Sequence, residues 1–295
     1  MELSQADIVN STIEIASICP KHKIKLTQLD RVVGVYDPLT GQKIEKKPDP
    51  FCKECVTEAK INQEHVKSEE LQNKTIYFKT YDVLFRDSII PNELKGASFN
   101  NFLVESDEEK RLLDFSKQQA NKYLEGMTGN TLITGPTGVG KSHLSISIAR
   151  AINDGYKAKN EPKSVLFVTF DDIVSKIQNG WNYGKQASLT EEDAVRLLTK
   201  ADYLFLDDLG AKNAEIKPKS DWEQNFLFKI LNARENTIIN TNLDSSQLRR
   251  VYNERNTSRI LKGLEGNNFK VFSIKDKRYS INSLREKQKN LTNKV

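Results

Sequence analysis

Eight consecutive residues, Gly135-Pro136-Thr137-Gly138-Val139-Gly140-Lys141-Ser142, have the types and spacing of a loop that cradles phosphate. Phosphate oxygens demand many donors at close range. Glycines let backbone N–H groups approach, and a helix starting at the end of the loop adds the positive end of its dipole. Lys141 is then expected to reach the β- and γ-phosphates, and the Ser142 hydroxyl to ligate Mg²⁺. His143 follows directly and is grouped with this nucleotide-binding run, although its type suits local packing or bonding more than catalysis. Four apolar residues, Tyr203–Leu206, run into Asp207 and Asp208. That pattern places two carboxylates at the end of a buried strand. Asp207 is expected to hold Mg²⁺, directly or through water, and Asp208 either to activate the attacking water or to begin the turn before Gly210.

A second set of reactive side chains lies near the N-terminus. The chain has three cysteines, all between positions 19 and 55, and with His22 they form Cys19-x2-His22 and Cys52-x2-Cys55. Two short-spaced pairs bring three thiolates and one imidazole to a tetrahedral ion, the donor set zinc prefers. Disulfides compete poorly, because the number is odd and a cytosolic context keeps thiols reduced. A region of about 75 residues is near the lower limit for a self-sufficient core, and a structural zinc adds on the order of 10 kcal/mol. With four protein ligands the ion is expected to hold structure rather than do chemistry. His65 sits in a polar helical stretch and reads as a solvated side chain.

The elements that must position these groups are legible in outline. From Asn130 onward, short apolar strands (NTLITG, SVLFVTF, YLFLDD, NTIINT) alternate with helical segments such as KSHLSISIARAIN and SDWEQNFLFKILNAR. The alternation predicts an α/β fold, a parallel sheet with helices on both faces. Residues 1–75 are expected to form a zinc-binding domain, 76–100 a linker, and 101–295 the P-loop ATPase domain. Within them, the spacing over Leu3–Ile18 predicts a helix, residues 56–74 a charged helix, and DEEKRLLDFSKQQANKYLEG a helix closed by Gly126.

Charge is uneven. Net charge is +5 over 295 residues, yet residues 249–295 hold 13 basic and 4 acidic side chains, leaving the preceding body slightly negative. A basic end on a near-neutral body suits either a polyanion such as nucleic acid or a solvated tail. No apolar run reaches the ~20 residues of a membrane span, and the N-terminus lacks a basic-then-apolar signal, so a soluble cytoplasmic protein without membrane contact is expected.

The ordered set GPTGVGKSHL, LFLDDLGAK, IINTNLDSSQL and NERNTSRIL, over about residues 98–280, resembles the DnaC/DnaI-type AAA+ ATPases, the bacterial and bacteriophage loaders of the replicative helicase. IstB-like transposition ATPases are close relatives. The N-terminal Cys/His pattern is similar to the zinc-bearing, helicase-binding domain of the DnaI and phage branch, which IstB-like proteins generally do not carry. The resemblance implies ATP hydrolysis with Mg²⁺, self-association through the ATPase domain, a hexameric replicative DNA helicase as partner, and delivery of that helicase to single-stranded DNA. It further implies roles for Asn242 as a γ-phosphate sensor beside the carboxylates, for Arg259 (or its neighbour Arg255) as an arginine finger reaching a neighbouring subunit, and for Arg278 as a second phosphate-sensing arginine. Many AAA+ members carry Glu where this chain has Asp208; the shorter side chain implies slow turnover, as in a switch. Residues 171–200 occupy the place of a helical element that touches single-stranded DNA in initiators and loaders. There Lys176, Trp181, Tyr183 and Lys185 suit either backbone contact with base stacking or packing of a helix pair. The alternatives to a loader are a transposition target-selection ATPase and a nucleotide-gated adaptor with negligible hydrolysis.

Overall fold

In the computed structural model, residues 12–36, 41–181, 183, 189–210 and 216–277 are described. The chain divides into two compact units, residues 1–75 and 76–295.

In the N-terminal unit, β1 (Thr12–Ile18) pairs antiparallel with β2 (Lys25–Leu29), with a register shift between Glu14 and Ile18. A second hairpin joins β3 (Val33–Tyr36) to β4 (Lys43–Lys46). The helix expected over Leu3–Ile18 is therefore a strand in its described part. The reason lies in TIEIASI itself: four of its seven residues are β-branched Thr or Ile, which are stiff at χ1 and favour a pleated surface. Residues 1–11 lie outside the described residues. Helix α1 (Lys53–Lys79) realises the expected charged helix and extends it at both ends; none of its residues is buried.

The second unit is built around a five-stranded sheet of order β6-β7-β8-β5-β9, every pairing parallel. Its strands are β5 (Thr131–Thr134), β6 (Val165–Thr169), β7 (Tyr203–Asp207), β8 (Ile238–Thr241) and β9 (Asn268–Lys270). Successive side chains point to opposite faces, and the core follows that rule. Leu132, Leu166, Leu204, Leu206 and Ile239 pack on one face with α5 (Phe170–Gly180), α6 (Glu191–Lys200), α7 (Asp221–Asn232), α8 (Ser245–Val251) and α9 (Glu254–Ile260). Ile133, Val165, Phe167, Tyr203, Phe205 and Ile238 face the other way, toward α3 (Asp107–Leu124) and α4 (Lys141–Ala158). Residues 76–100, expected as a join, pack here too: Tyr81, Leu84 and Ala97 are buried in the second cluster, near α2 (Val83–Arg86), and the Ile89 N–H donates to the Phe167 carbonyl at 2.9 Å. The tyrosines and leucines of that stretch are too apolar to remain a solvated tether.

Register decides where chemistry can occur. Ile133 is level with Asn240, Leu132 and Leu206 are both level with Ile239, and β5, β7 and β8 end together. Their carboxyl ends feed Gly135, Asp208 and Asn242 to one edge of the sheet, the edge where open α/β sheets bind ligands.

A nucleotide cleft and a four-donor cluster

At that edge lies a cleft of about 430 Å³ lined by Thr137, Gly138, Gly140, Lys141, Ser142 and His143, with Asp207, Asp208 and Asn242 opposite. Gly140 precedes α4 at φ +95°, a left-handed conformation, and points the chain into the helix. The buried Lys141 ammonium donates to the carbonyls of Gly135 (2.9 Å) and Pro136 (2.8 Å) and to Asn242 Oδ1 (2.7 Å). The loop lysine and the polar residue after β8, 101 positions apart, thus meet directly. Ser142 Oγ donates to Asp207 Oδ1 at 3.0 Å, so the two expected Mg²⁺ ligands adjoin.

Asp207 is buried, and burial pushes its carboxyl up to about 6; the nearby charge of Asp208 adds to the rise. Hydrogen bonds from Asn240 and Ser142 and the Lys141 charge oppose it without cancelling it. Asp208 follows at φ +53°, a left-handed backbone uncommon outside glycine, and lines the cleft. Asp208 therefore both starts the turn toward Gly210 and faces the cleft.

Sequence reasoning missed Asn240. Its Nδ2 donates to Asp207 Oδ1 at 2.6 Å while its Oδ1 accepts from Ser145 Oγ at 2.9 Å, so a buried amide bridges α4 to the Asp207 carboxylate. The available signal was an Asn inside an otherwise apolar strand, which is retained only when it is hydrogen-bonded. Also missed were the walls that come from distant segments. Phe102 and Lys277 line the cleft, and the Lys277 ammonium sits 4.1 Å over the Phe102 ring, pairs with Glu109 at 2.9 Å and donates to the Leu103 carbonyl. The segment carrying Lys277 is strapped to the phosphate loop: the Lys277 N–H donates to the Gly138 carbonyl at 2.9 Å, and the Asp276 carboxylate occupies the space a Cβ at Gly138 would need. His143 Nε2 donates to the Ser98 carbonyl at 3.0 Å and its ring meets Phe102 edge-on, while burial holds its imidazole below its usual range. It packs and bonds locally, as its type suggested.

Arg255 and Arg259 stand apart from the cleft. Both lie on α9 against α7, where Arg255 stacks on Phe228 at 3.9 Å and donates to Asn225 (2.8 Å), and Arg259 donates to Asn232 (2.7 Å). Arg278 and Lys185 lie outside the described residues. Lys176 is exposed; Trp181 and Tyr183 are 58% and 66% exposed, with Trp181 edge-on to Trp222 at 5.2 Å. Trp181 thus packs along one edge, and the rest faces solvent.

In the N-terminal unit, Cys19, His22, Cys52 and Cys55 converge, their donor atoms all within 4.8 Å of one another. Cys19 and His22 come from the turn between β1 and β2; Cys52 and Cys55 come from the start of α1, anchored by the Thr27–Phe51 bridge. Cys19 and Cys55 Sγ are 3.8 Å apart, and His22 Nδ1 is 3.8, 3.5 and 3.3 Å from the sulfurs of Cys19, Cys52 and Cys55. A tetrahedral ion with metal–sulfur bonds of about 2.3 Å separates its sulfurs by about 3.8 Å, so the donor set and spacing fit zinc. The His22 backbone N–H facing Cys19 helps lower that thiol to about 6, whereas burial raises Cys55 to about 11.

Residues 76–290 match the family model of the IstB-like ATP binding protein. Similar proteins include the replicative helicase loader DnaC of Buchnera aphidicola, 27% identical over 209 residues, 68% of this chain and 78% of that protein. A putative insertion sequence ATP-binding protein of Sinorhizobium fredii is 36% identical over 106 residues, 36% of this chain and 30% of the relative. Among solved structures, a crystal structure of DnaI aligns at 21% identity and TM-score 0.46, covering 64% of this chain and 95% of that one. No helix among the described residues is long and apolar enough to cross a membrane. With its P-loop, paired aspartates and parallel sheet in place, the chain belongs to the IstB-like ATP-binding protein family.

Proposed function

We propose that this ATPase is a helicase loader: its N-terminal unit grips a hexameric replicative DNA helicase, and its ATPase unit delivers that helicase to single-stranded DNA. The observation that carries the reading is the pairing, in one chain, of a four-donor cluster with a nucleotide cleft, together with similarity to a replicative helicase loader over most of that protein's length. Cys19, His22, Cys52 and Cys55 would hold Zn²⁺ as a structural ion. Lys141 and the loop amides of 135–142 bind the phosphates of ATP, and Ser142 and Asp207 hold Mg²⁺, which neutralises charge on the transferring group. Asp208 orients and deprotonates the attacking water, and Asn242, held on Lys141, reports whether a γ-phosphate is present. Arg259 serves a neighbouring subunit's nucleotide; its position on α9, away from its own cleft, suits action in trans. Arg278 would add a second phosphate contact from the basic C-terminal segment. Lys176, Trp181 and Tyr183 supply charge and stacking for single-stranded DNA.

The test is light scattering on a sizing column, with the chain, a hexameric replicative helicase, ATP and Mg²⁺. A stable complex is expected, lost when residues 1–75 are removed. The similarity to insertion-sequence ATPases favours one other reading, a transposition target-selection ATPase. Capture of a transposase with no helicase complex would select it.

A further inference from the structure

We infer that Glu58 positions the metal site: it fixes His22 as an Nδ1 ligand by accepting the proton-bearing Nε2. The inference rests on the zinc reading of the cluster and adds a residue and a ligating atom to it. Three observations carry it. His22 Nδ1 is turned toward all three sulfurs, at 3.3 to 3.8 Å. Its Nε2 is turned away from them and lies 3.0 Å from Glu58 Oε1. The other carboxylate oxygen, Oε2, pairs with the Lys21 ammonium.

An ionised carboxylate only accepts, so the hydrogen of a neutral His22 ring sits on Nε2 and the lone pair on Nδ1 faces the sulfurs. Metal-bound histidines generally donate their second ring nitrogen to such a partner, which sets the tautomer and the ring plane. The placement follows from α1 and from the turn. Glu58 lies three residues after Cys55, hence on the same helix face, one turn along. Lys21 is the neighbour of His22 in the turn, so Lys21 and His22 grip one carboxylate that projects from the helix carrying Cys55. Three thiolates and one neutral imidazole leave a Zn²⁺ site one charge negative, and Lys21 supplies a compensating cation just outside it. Sequence spacing had no means of marking Glu58, one of several acidic residues on a charged helix.

The experiment uses the full chain loaded with Zn²⁺. Long-range ¹H–¹⁵N correlation of His22 is expected to show Nδ1 metal-bound and Nε2 protonated. Competition against a chromophoric chelator is expected to give Glu58→Ala about 10- to 100-fold weaker zinc affinity. Glu58→Gln, whose amide oxygen still accepts from Nε2, is expected to lose less. Metal on Nε2, or a Glu58→Ala chain with wild-type affinity, overturns the inference and leaves the zinc reading standing. A wild-type chain that takes up no zinc overturns both. The nitrogen assignment needs no variant, so a Glu58→Ala chain that fails to fold still leaves a decisive measurement.

Discussion

Among the described residues of the N-terminal unit, only Cys19, Thr27 and Cys52 are buried, and two of these belong to the four-donor cluster. In the ATPase unit both faces of the sheet are covered, with Phe167, Phe170, Phe205, Phe226 and many Leu, Ile and Val side chains fully enclosed. One unit is organised around a few side chains that converge on a point; the other removes a continuous apolar surface from water. The difference teaches where each is vulnerable. Truncating one core side chain costs that side chain's contacts and leaves the others, while a cross-link of four ligands fails when any one fails.

The largest effect should separate the two units outright. Stripping metal with a chelator, or Cys52→Ser, is expected to unfold the N-terminal unit, a loss on the order of 10 kcal/mol for a structural zinc. Limited proteolysis should cleave before residue 76 while the ATPase unit keeps its thermal transition. Cleavage spread through both units would break the comparison. In the other direction, Phe205→Ala removes a ring stacked on Phe167 in the enclosed cluster, and about 3–5 kcal/mol of ATPase-unit stability with it. Calorimetry should show that unit's transition lowered and zinc content unchanged.

Asp207 sharpens the contrast within the ATPase unit, since it is a buried carboxylate at the end of an apolar strand. Its folded pKa is raised to about 6, so the stability linked to its protonation is present at low pH and is lost as pH rises through 6. At pH 7.5 the charged carboxylate therefore costs stability, and Asp207→Asn is expected to raise the unfolding free energy of the nucleotide-free chain by up to about 3 kcal/mol while abolishing turnover. Because a proton competes with Mg²⁺ for this oxygen, Mg²⁺ affinity should fall as pH drops through 6, higher than for an ordinary aspartate. Titration calorimetry between pH 5 and 8 checks it. The smallest effect belongs to a helix end: Asn253 caps α9 by accepting from the Asn256 N–H at 2.9 Å, and Asn253→Ala should cost about 1 kcal/mol. The loss should appear as faster hydrogen exchange in α9, which carries Arg255 and Arg259, with cleft residues unaffected.

What could be read from the residue order is what depends on neighbours in the chain. The phosphate loop is a contiguous run in which glycines, a lysine and a helix start must follow one another, so its role was legible before any fold. The four-donor cluster was legible because three of its members are the chain's only cysteines and, with His22, they are paired at tight spacing. Strands β5 to β8 and helices α3, α4 and α7 were legible from apolar runs and spacing, whereas β9, α8 and α9 were not, and Thr12–Ile18, expected as a helix, is a strand.

The tertiary structure decided what depends on residues far apart. Asn242 meets Lys141, Asn240 holds Asp207, Phe102 and Lys277 wall the cleft, and Glu58 reaches His22, each across 30 residues or more. Parallel register and the turn geometry of β1–β2 create these meetings, and neither leaves a local pattern. A hydrogen bond between such groups is set by where the backbone carries them, and that position is a property of the packed whole.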